Sequence, residues 1–187
     1  MTALDFFARW RVRLGYLLAL ILLLLARPTP RSILLGAAIG VIGLGIRAWA
    51  AGYLHKQEVL TVTGPYARTR NPLYFGSGFL TLGAAVAMNS WWAAVLLLFY
   101  FALVYSFVMR REEWELRQKH GAAFDAYADS VPLFFPRLSA SPTVEPNGVG
   151  FSWSQYKKNH EHQAAIGFVL LLLVLLLIWF LRSPKPL

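Results

Sequence analysis

The chain has 187 residues, 57% hydrophobic and 14% charged, with a formal net charge of +9 and no cysteine. A mean hydropathy of +0.50 and long apolar blocks exclude an ordinary soluble domain. The missing thiols exclude disulfides, thiolate catalysis and cysteine-ligated metal, and the basic residues flank apolar blocks, so they read as topology and headgroup contact rather than a nucleic-acid surface.

Arg9, Arg11 and Arg13 precede a charge-free stretch at 14–26. No convincing small-x-small cleavage pattern follows, so this reads as a retained first helix beginning near Phe6, with its arginines snorkelling to the interface. RPTPR then turns the chain. A second span runs from about residue 32 to 54 and contains one charge, Arg47. Gly36, Gly40, Gly43 and Gly45 lie along it and suit close helix packing. Residues 71–109 carry no charge, which is too long for one span and right for a helical hairpin. MNSWW (88–92) is its turn, with Ser90 as a cap and Trp91 and Trp92 as an interfacial belt.

A helix continues out of the membrane through MRREEWELRQKH and stops at Gly121. AAFDAYADSVPLFFPRL reads as a second short helix and a proline-bounded apolar segment. Residues 139–150 read as a linker, 151–162 as a solvated interfacial segment in the headgroup layer, and 163–181 as the last span. The expected fold is all-α: one domain, an integral membrane bundle of about five transmembrane helices, with a cytosolic helical segment between helices four and five.

Five spans place the N-terminus, the second loop and residues 110–162 on one side. That side holds Arg9, Arg11, Arg13, Lys56, Arg68, Arg70, Arg110, Arg111, Arg117, Lys119, Arg137, Lys157 and Lys158, thirteen cations. The other side holds four: Arg27, Arg31, Arg182 and Lys185. The positive-inside rule puts the thirteen in the cytosol, in a bacterial cell beneath the inner membrane. All nine acidic residues fall there too, so any chemistry is expected to face the cytosol.

On that side lies GPYARTRNPLYFG (64–76). Asn71 suits a helix N-cap and Pro72 the first helical position. The free N–H groups of that helix, beside Arg68 and Arg70, suit a carboxylate or phosphate. A capped helix start with topogenic arginines explains the same residues. Arg111, Glu112, Glu113 and Glu115 gather at the mouth of the fourth helix, where they can hold hydroxyl or ammonium groups or orient an arginine. The structural alternative is a solvated face with pairs such as Glu113–Arg117. Arg47, inside a span, is placed to meet an acceptor's headgroup or carboxylate, or else snorkels two turns to the interface. His160 and His162 flank Glu161 at a spacing that does not share a helical face, so no metal site is expected.

The loop GPYARTRNPLYFG, followed some forty residues later by REEWELRQKHGAAFDAYADSVPLFFP, resembles the isoprenylcysteine carboxyl methyltransferase and phospholipid methyltransferase superfamily over roughly residues 60–137. The resemblance implies an integral membrane enzyme that uses S-adenosylmethionine at the cytosolic interface. It also implies a lipid-like or isoprenoid acceptor that enters from the bilayer. Gly64, Pro65, Tyr66, Arg70, Asn71, Pro72 and Tyr74 match its first motif, and Glu112, Glu113, Leu116, Gly121, Tyr127, Val131, Pro132 and Pro136 its second. It implies cofactor binding by Gly64, Pro65, Tyr66, Arg70, Asn71, Pro72, Tyr74, Tyr127 and Pro132. Catalytic roles are expected for Glu112, Glu113, Arg111 and Arg47. Asn71 stands where better-known members have histidine, His120 where phenylalanine precedes the glycine, and Phe124 where tyrosine is common.

A carboxylate acceptor needs no general base, and carboxylate O-methylation is the favoured expectation. An amine or phenol acceptor would need a base, for which Glu112 or Glu113 is available. The alternatives are a phospholipid amine, a quinone or a small hydrophobic acid as acceptor, a sterol-reductase-like enzyme using NADPH, and a non-enzymatic membrane protein of the same fold. The expected partners are the membrane and the acceptor, with no nucleic acid.

Overall fold

The computed structural model describes residues 15–55, 59–139 and 150–183. The expected start of the first helix, its three arginines, Lys56 and most of the linker lie outside the described residues. Among the described residues, seven α-helices and one 3-10 turn follow in order: α1 (Gly15–Leu25), α2 (Pro30–Tyr53), the turn Gly64–Ala67, α3 (Pro72–Met88), α4 (Trp91–His120), α5 (Ala122–Ser130), α6 (Trp153–Lys158) and α7 (His162–Arg182). Among the described residues there is no strand. α2, α4 and α7 are long and apolar enough to cross a membrane, and α1 and α3 are shorter apolar helices. The chain is an all-helical integral membrane bundle.

The α3–α4 hairpin is asymmetric. α3 has 17 residues and rises about 25 Å, whereas α4 has 30 and rises about 45 Å at 1.5 Å per residue. The excess of α4 is its charged end, residues 110–120, which carries the acidic cluster past the start of α3. Gly121 ends α4 at φ +53, a left-handed conformation that favours glycine, and turns the chain into α5.

α2 and α3 form the most extensive helix pair. A Cβ on Gly36 would stand 2.4 Å from Gly83 O, and one on Gly43 2.7 Å from Gly76 O, so only glycine permits this approach. α7 packs on the same helix: a Cβ on Gly40 would meet the Phe168 ring at 2.1 Å. Gly45 differs from the expectation of close packing, because nothing lies within 4 Å of its would-be Cβ.

Each end of the bundle is tied by specific bonds. At the far end Thr29 caps α2 in a capping box with Ser32, and Ser32 Oγ also donates to Ala87 O at 3.1 Å. Arg27 N donates to Met88 O at 2.8 Å, and Asn89 Nδ2 to Arg27 O at 3.0 Å. An apolar cluster of Leu22, Ala26, Ala87, Met88, Ala93 and Leu175 lies just beneath. Ser90 caps α4 by accepting from Ala93 N at 3.4 Å.

The other end, here the loop end, holds both motifs. It also corrects the expectation for residues 151–162. That segment is docked, not merely solvated. Ser152 N donates to Gly52 O at 2.9 Å, Gln155 is buried, and Glu161 is 7% exposed. The docking follows from need, since the last carbonyls of α2 have no partners within the helix.

Candidate functional site

The segment before α3 and the segment after α5 are stitched together like two short strands. Arg70 N donates to Pro132 O at 2.9 Å, and Arg137 N donates to Arg68 O at 2.9 Å. Between these rungs Thr69 Oγ1 donates to Phe134 O at 2.9 Å. Asn71 Nδ2 donates to Leu133 O at 3.0 Å. This corrects the capping role expected for Asn71. The Asn71 side chain makes no cap bond to α3; the backbone carbonyl of Asn71 accepts from Phe75 N while the side-chain amide reaches across to the second motif. Pro72 still begins the helix, because it has no N–H to leave unpaired.

Two tyrosines complete the stitch. Tyr127 Oη donates to Tyr66 O at 2.8 Å, and both residues are buried. Burial pushes both phenols above their ordinary range. For Tyr66, the neighbouring Tyr127 and Glu112 add to that effect, and for Tyr127, Arg70 opposes it. Both therefore stay protonated at neutral pH. Tyr127, Phe124 and Val131 form a small core under α5 with Leu60 and Val62. Gly64 opens the 3-10 turn at φ +60, where its missing Cβ leaves room for the Tyr53 ring.

These walls enclose a cavity of about 60 Å³ lined by Leu54, Leu60, Thr61, Tyr66, Arg70, Asn71, Glu112, Glu113, Leu116, Phe124 and Tyr127. Arg70 and Glu113 form an ion pair in its wall. This replaces the Glu113–Arg117 pairing expected from spacing, and Arg117 instead donates to Asp125 at 2.7 Å. Tyr74 Oη donates to Glu112 Oε1 at 2.5 Å, joining α3 to α4 at the mouth. Arg70 Nε is buried and has no hydrogen-bond partner among the described residues. A buried unpaired N–H carries a desolvation cost that a ligand acceptor removes.

The sequence-predicted residues are thus divided. Tyr66, Arg70, Asn71, Glu112, Glu113 and Tyr127 line one cavity. Tyr74 reaches it through Glu112, and Pro132 through its carbonyl bond to Arg70 N. Gly64, Pro65 and Pro72 shape the backbone around it. Arg111 is not brought in: it is exposed and pairs with Glu115 one turn along α4, at 2.9 Å. Arg47 does not line the cavity either. Its guanidinium grips Glu161 through Nε–Oε1 and through Nη2–Oε2 at 3.0 Å, and its Nη1 donates to Ser77 Oγ and to Leu73 O at 3.4 Å.

Glu161 is the residue that sequence reasoning missed. The signal was present, because an arginine at membrane depth requires a counter-charge. Glu161 stands immediately before the last apolar span. Among the described residues no group of three or more His, Asp or Glu gathers in a metal-binding arrangement, and His160 and His162 stand with ring centroids 6.0 Å apart.

The lining carries groups that an adenosyl sulfonium compound would call on: Arg70 would offer an unpaired donor to a carboxylate or hydroxyl, Glu112 and Glu113 would offer acceptors to ammonium or ribose hydroxyls, and Tyr66 and Phe124 would offer aromatic walls.

No solved structure matches the chain. Two bacterial proteins do. The nickel-cobalt-cadmium resistance protein NccN of Alcaligenes xylosoxydans xylosoxydans is 37% identical over 108 residues, which cover 57% of this chain and 49% of that protein. The cobalt-zinc-cadmium resistance protein CzcN of Cupriavidus metallidurans is 35% identical over 108 residues, covering 57% and 48%. The matched region spans about half the length of these curated relatives. Residues 33–123, a segment that holds the RNPLY loop and the paired glutamates, are similar to the family model of phospholipid methyltransferase.

Proposed function

We propose that the protein is an S-adenosylmethionine-dependent methyltransferase whose site opens at the cytosolic face of a bacterial inner membrane and whose acceptor is a lipid-like molecule. The observation that carries this reading is the meeting of the two motifs around one cavity that holds Arg70, Glu112 and Glu113. Positive-inside counting supports the orientation.

The charge of the site bears on the acceptor. One guanidinium against two carboxylates leaves the lining with a formal charge of −1. Arg47 adds nothing, because Glu161 neutralises it. Two cationic centres against one carboxylate give the cofactor the opposite excess, so the cofactor and the lining cancel. An anionic acceptor then finds no spare cation. An uncharged amine or phenol fits better than the carboxylate favoured by the sequence.

When bound, S-adenosylmethionine supplies an electrophilic methyl carbon. Glu112, held by the Tyr74 hydroxyl, would take the proton of a neutral amine or phenol acceptor. Arg70 and Asn71 would orient the bound molecules, and alignment would supply much of the rate. The test is incubation of purified protein with radiolabelled S-adenosylmethionine and lipid extract, followed by chromatography. The label should enter an amine or phenol lipid and resist mild alkali. An alkali-labile methyl ester would return the acceptor to the carboxylate class.

A further inference from the structure

α6 and α7 lie outside the residues that match the family, yet they grip the matched part at two places. The first is the end of α2. Gln155 Nε2 donates to Leu54 O at 2.7 Å, and Asn159 Nδ2 donates to Ala51 O at 2.8 Å and Leu54 O at 2.9 Å. The second is Arg47. The chain bends at His160, a non-glycine residue at φ +53, and the bend delivers the buried Glu161 carboxylate to the guanidinium. Such a backbone conformation persists only where its surroundings over-determine it. Here the caps on α2 precede the bend and the ion pair follows it.

Arg47 passes this grip to α3. Its stem crosses at Gly76, where a Cβ would stand 2.6 Å from Arg47 Cγ. Its Nη1 donates to Ser77 Oγ and Leu73 O, and Ser77 Oγ donates to the same carbonyl at 3.0 Å. Leu73 lies between Asn71 and Tyr74, in the turn that presents both to the cavity and its mouth. Arg47, Ser77 and Glu161 are absent from the cavity lining.

We propose that Glu161 is a positioning residue for the candidate site. Acting through Arg47, it fixes the first turn of α3 from the membrane side, and the α6–α7 hairpin is a working part of the site. The proposal rests on the methyltransferase reading. Its physical basis is the fork of the guanidinium: two nitrogens bind the carboxylate, and the remaining one is held toward Leu73 O and Ser77. Without Glu161 an unpaired cation at membrane depth turns toward the surface and releases α3.

The test measures S-adenosylhomocysteine binding by calorimetry beside thermal unfolding, for wild type, Arg47→Met/Glu161→Met and Ser77→Ala. An apolar pair of similar volume often replaces a buried ion pair without loss of stability, so the double variant separates position from stability. Ser77→Ala keeps the ion pair and removes the shorter of the two Nη1 bonds to α3. Both variants should keep the unfolding midpoint and bind about three- to tenfold more weakly, the size of one hydrogen bond. Wild-type affinity in either folded variant overturns the proposal. If the double variant does not fold, Ser77→Ala decides alone. Wild type that binds no adenosyl compound brings down the methyltransferase reading and this proposal with it. That outcome differs from wild type and variants binding alike, which removes only the role of Glu161.

Discussion

The Tyr127 hydroxyl donates to the Tyr66 carbonyl at 2.8 Å, and this bond ties the helix after α4 to the turn before α3. The acceptor is a buried backbone carbonyl, so Tyr127→Phe leaves it unpaired at a cost of about 1–3 kcal/mol. The variant should show a lower unfolding midpoint in detergent and weaker S-adenosylhomocysteine binding. An unchanged midpoint would mean that the stitch between the motifs does not depend on this bond.

The same two tyrosines set an alkaline limit. Burial raises both phenols in the folded state, whereas an unfolded tyrosine titrates near pH 10. Their neutral forms are favoured by the fold, so their contribution is fully present below about pH 10 and is lost as pH rises beyond it. Unfolding midpoints measured from pH 8 to pH 11 should stay level and then fall, and Tyr127→Phe should soften the fall. A midpoint that rises across the same range contradicts the assignment.

Asn71 separates two roles by chemistry. As a helix cap, serine would replace it well. As the donor to Leu133 O, it needs an amide's reach, which a serine hydroxyl lacks. Asn71→Ser and Asn71→Ala should therefore lower the unfolding midpoint alike, by about 1–2 kcal/mol of stability. A serine variant as stable as wild type would restore the capping role.

Most of the fold was legible because apolar block length decides a membrane span. The span expected at 163–181 is α7 (His162–Arg182), and MNSWW turns where expected, capped by Ser90. The pairing of the motifs was legible only through resemblance, since nothing in local spacing brings Asn71 to Leu133. Contacts between distant segments were not legible. Glu161 and Arg47 are 114 positions apart, and the Glu113 partner was misjudged because an i,i+4 neighbour competes on spacing alone with a tertiary one. Asn71 was misassigned for a related reason: a good cap residue is also a good long-range amide donor.

The glycines of α2 give a paired test. Gly36→Ala drives a methyl group to 2.4 Å from Gly83 O and should cost about 1–3 kcal/mol. Gly45→Ala meets nothing within 4 Å and should stabilise by roughly 0.5–1 kcal/mol through helix propensity. Unfolding midpoints of the two variants should move in opposite directions. Equal destabilisation would mean that Gly45 faces a partner helix.

Orientation is testable against a clean background, because the chain has no cysteine. Trp91→Cys lies at the start of α4 at the far end, and Ser154→Cys in α6 at the loop end; both positions are exposed. In intact cells an impermeant thiol reagent should label the first and spare the second. The reverse pattern would turn the site away from the cytosol.

The RNPLY loop and the paired glutamates are proposed to form one adenosyl-binding site. Calorimetry on the purified protein in detergent tests that proposal most directly, with S-adenosylmethionine, S-adenosylhomocysteine and NADPH titrated in turn and Arg70→Gln as the control. Both adenosyl compounds should bind, Arg70→Gln should weaken that binding markedly in protein that remains folded, and NADPH should not bind. Folded protein that binds NADPH and neither adenosyl compound would contradict the proposal.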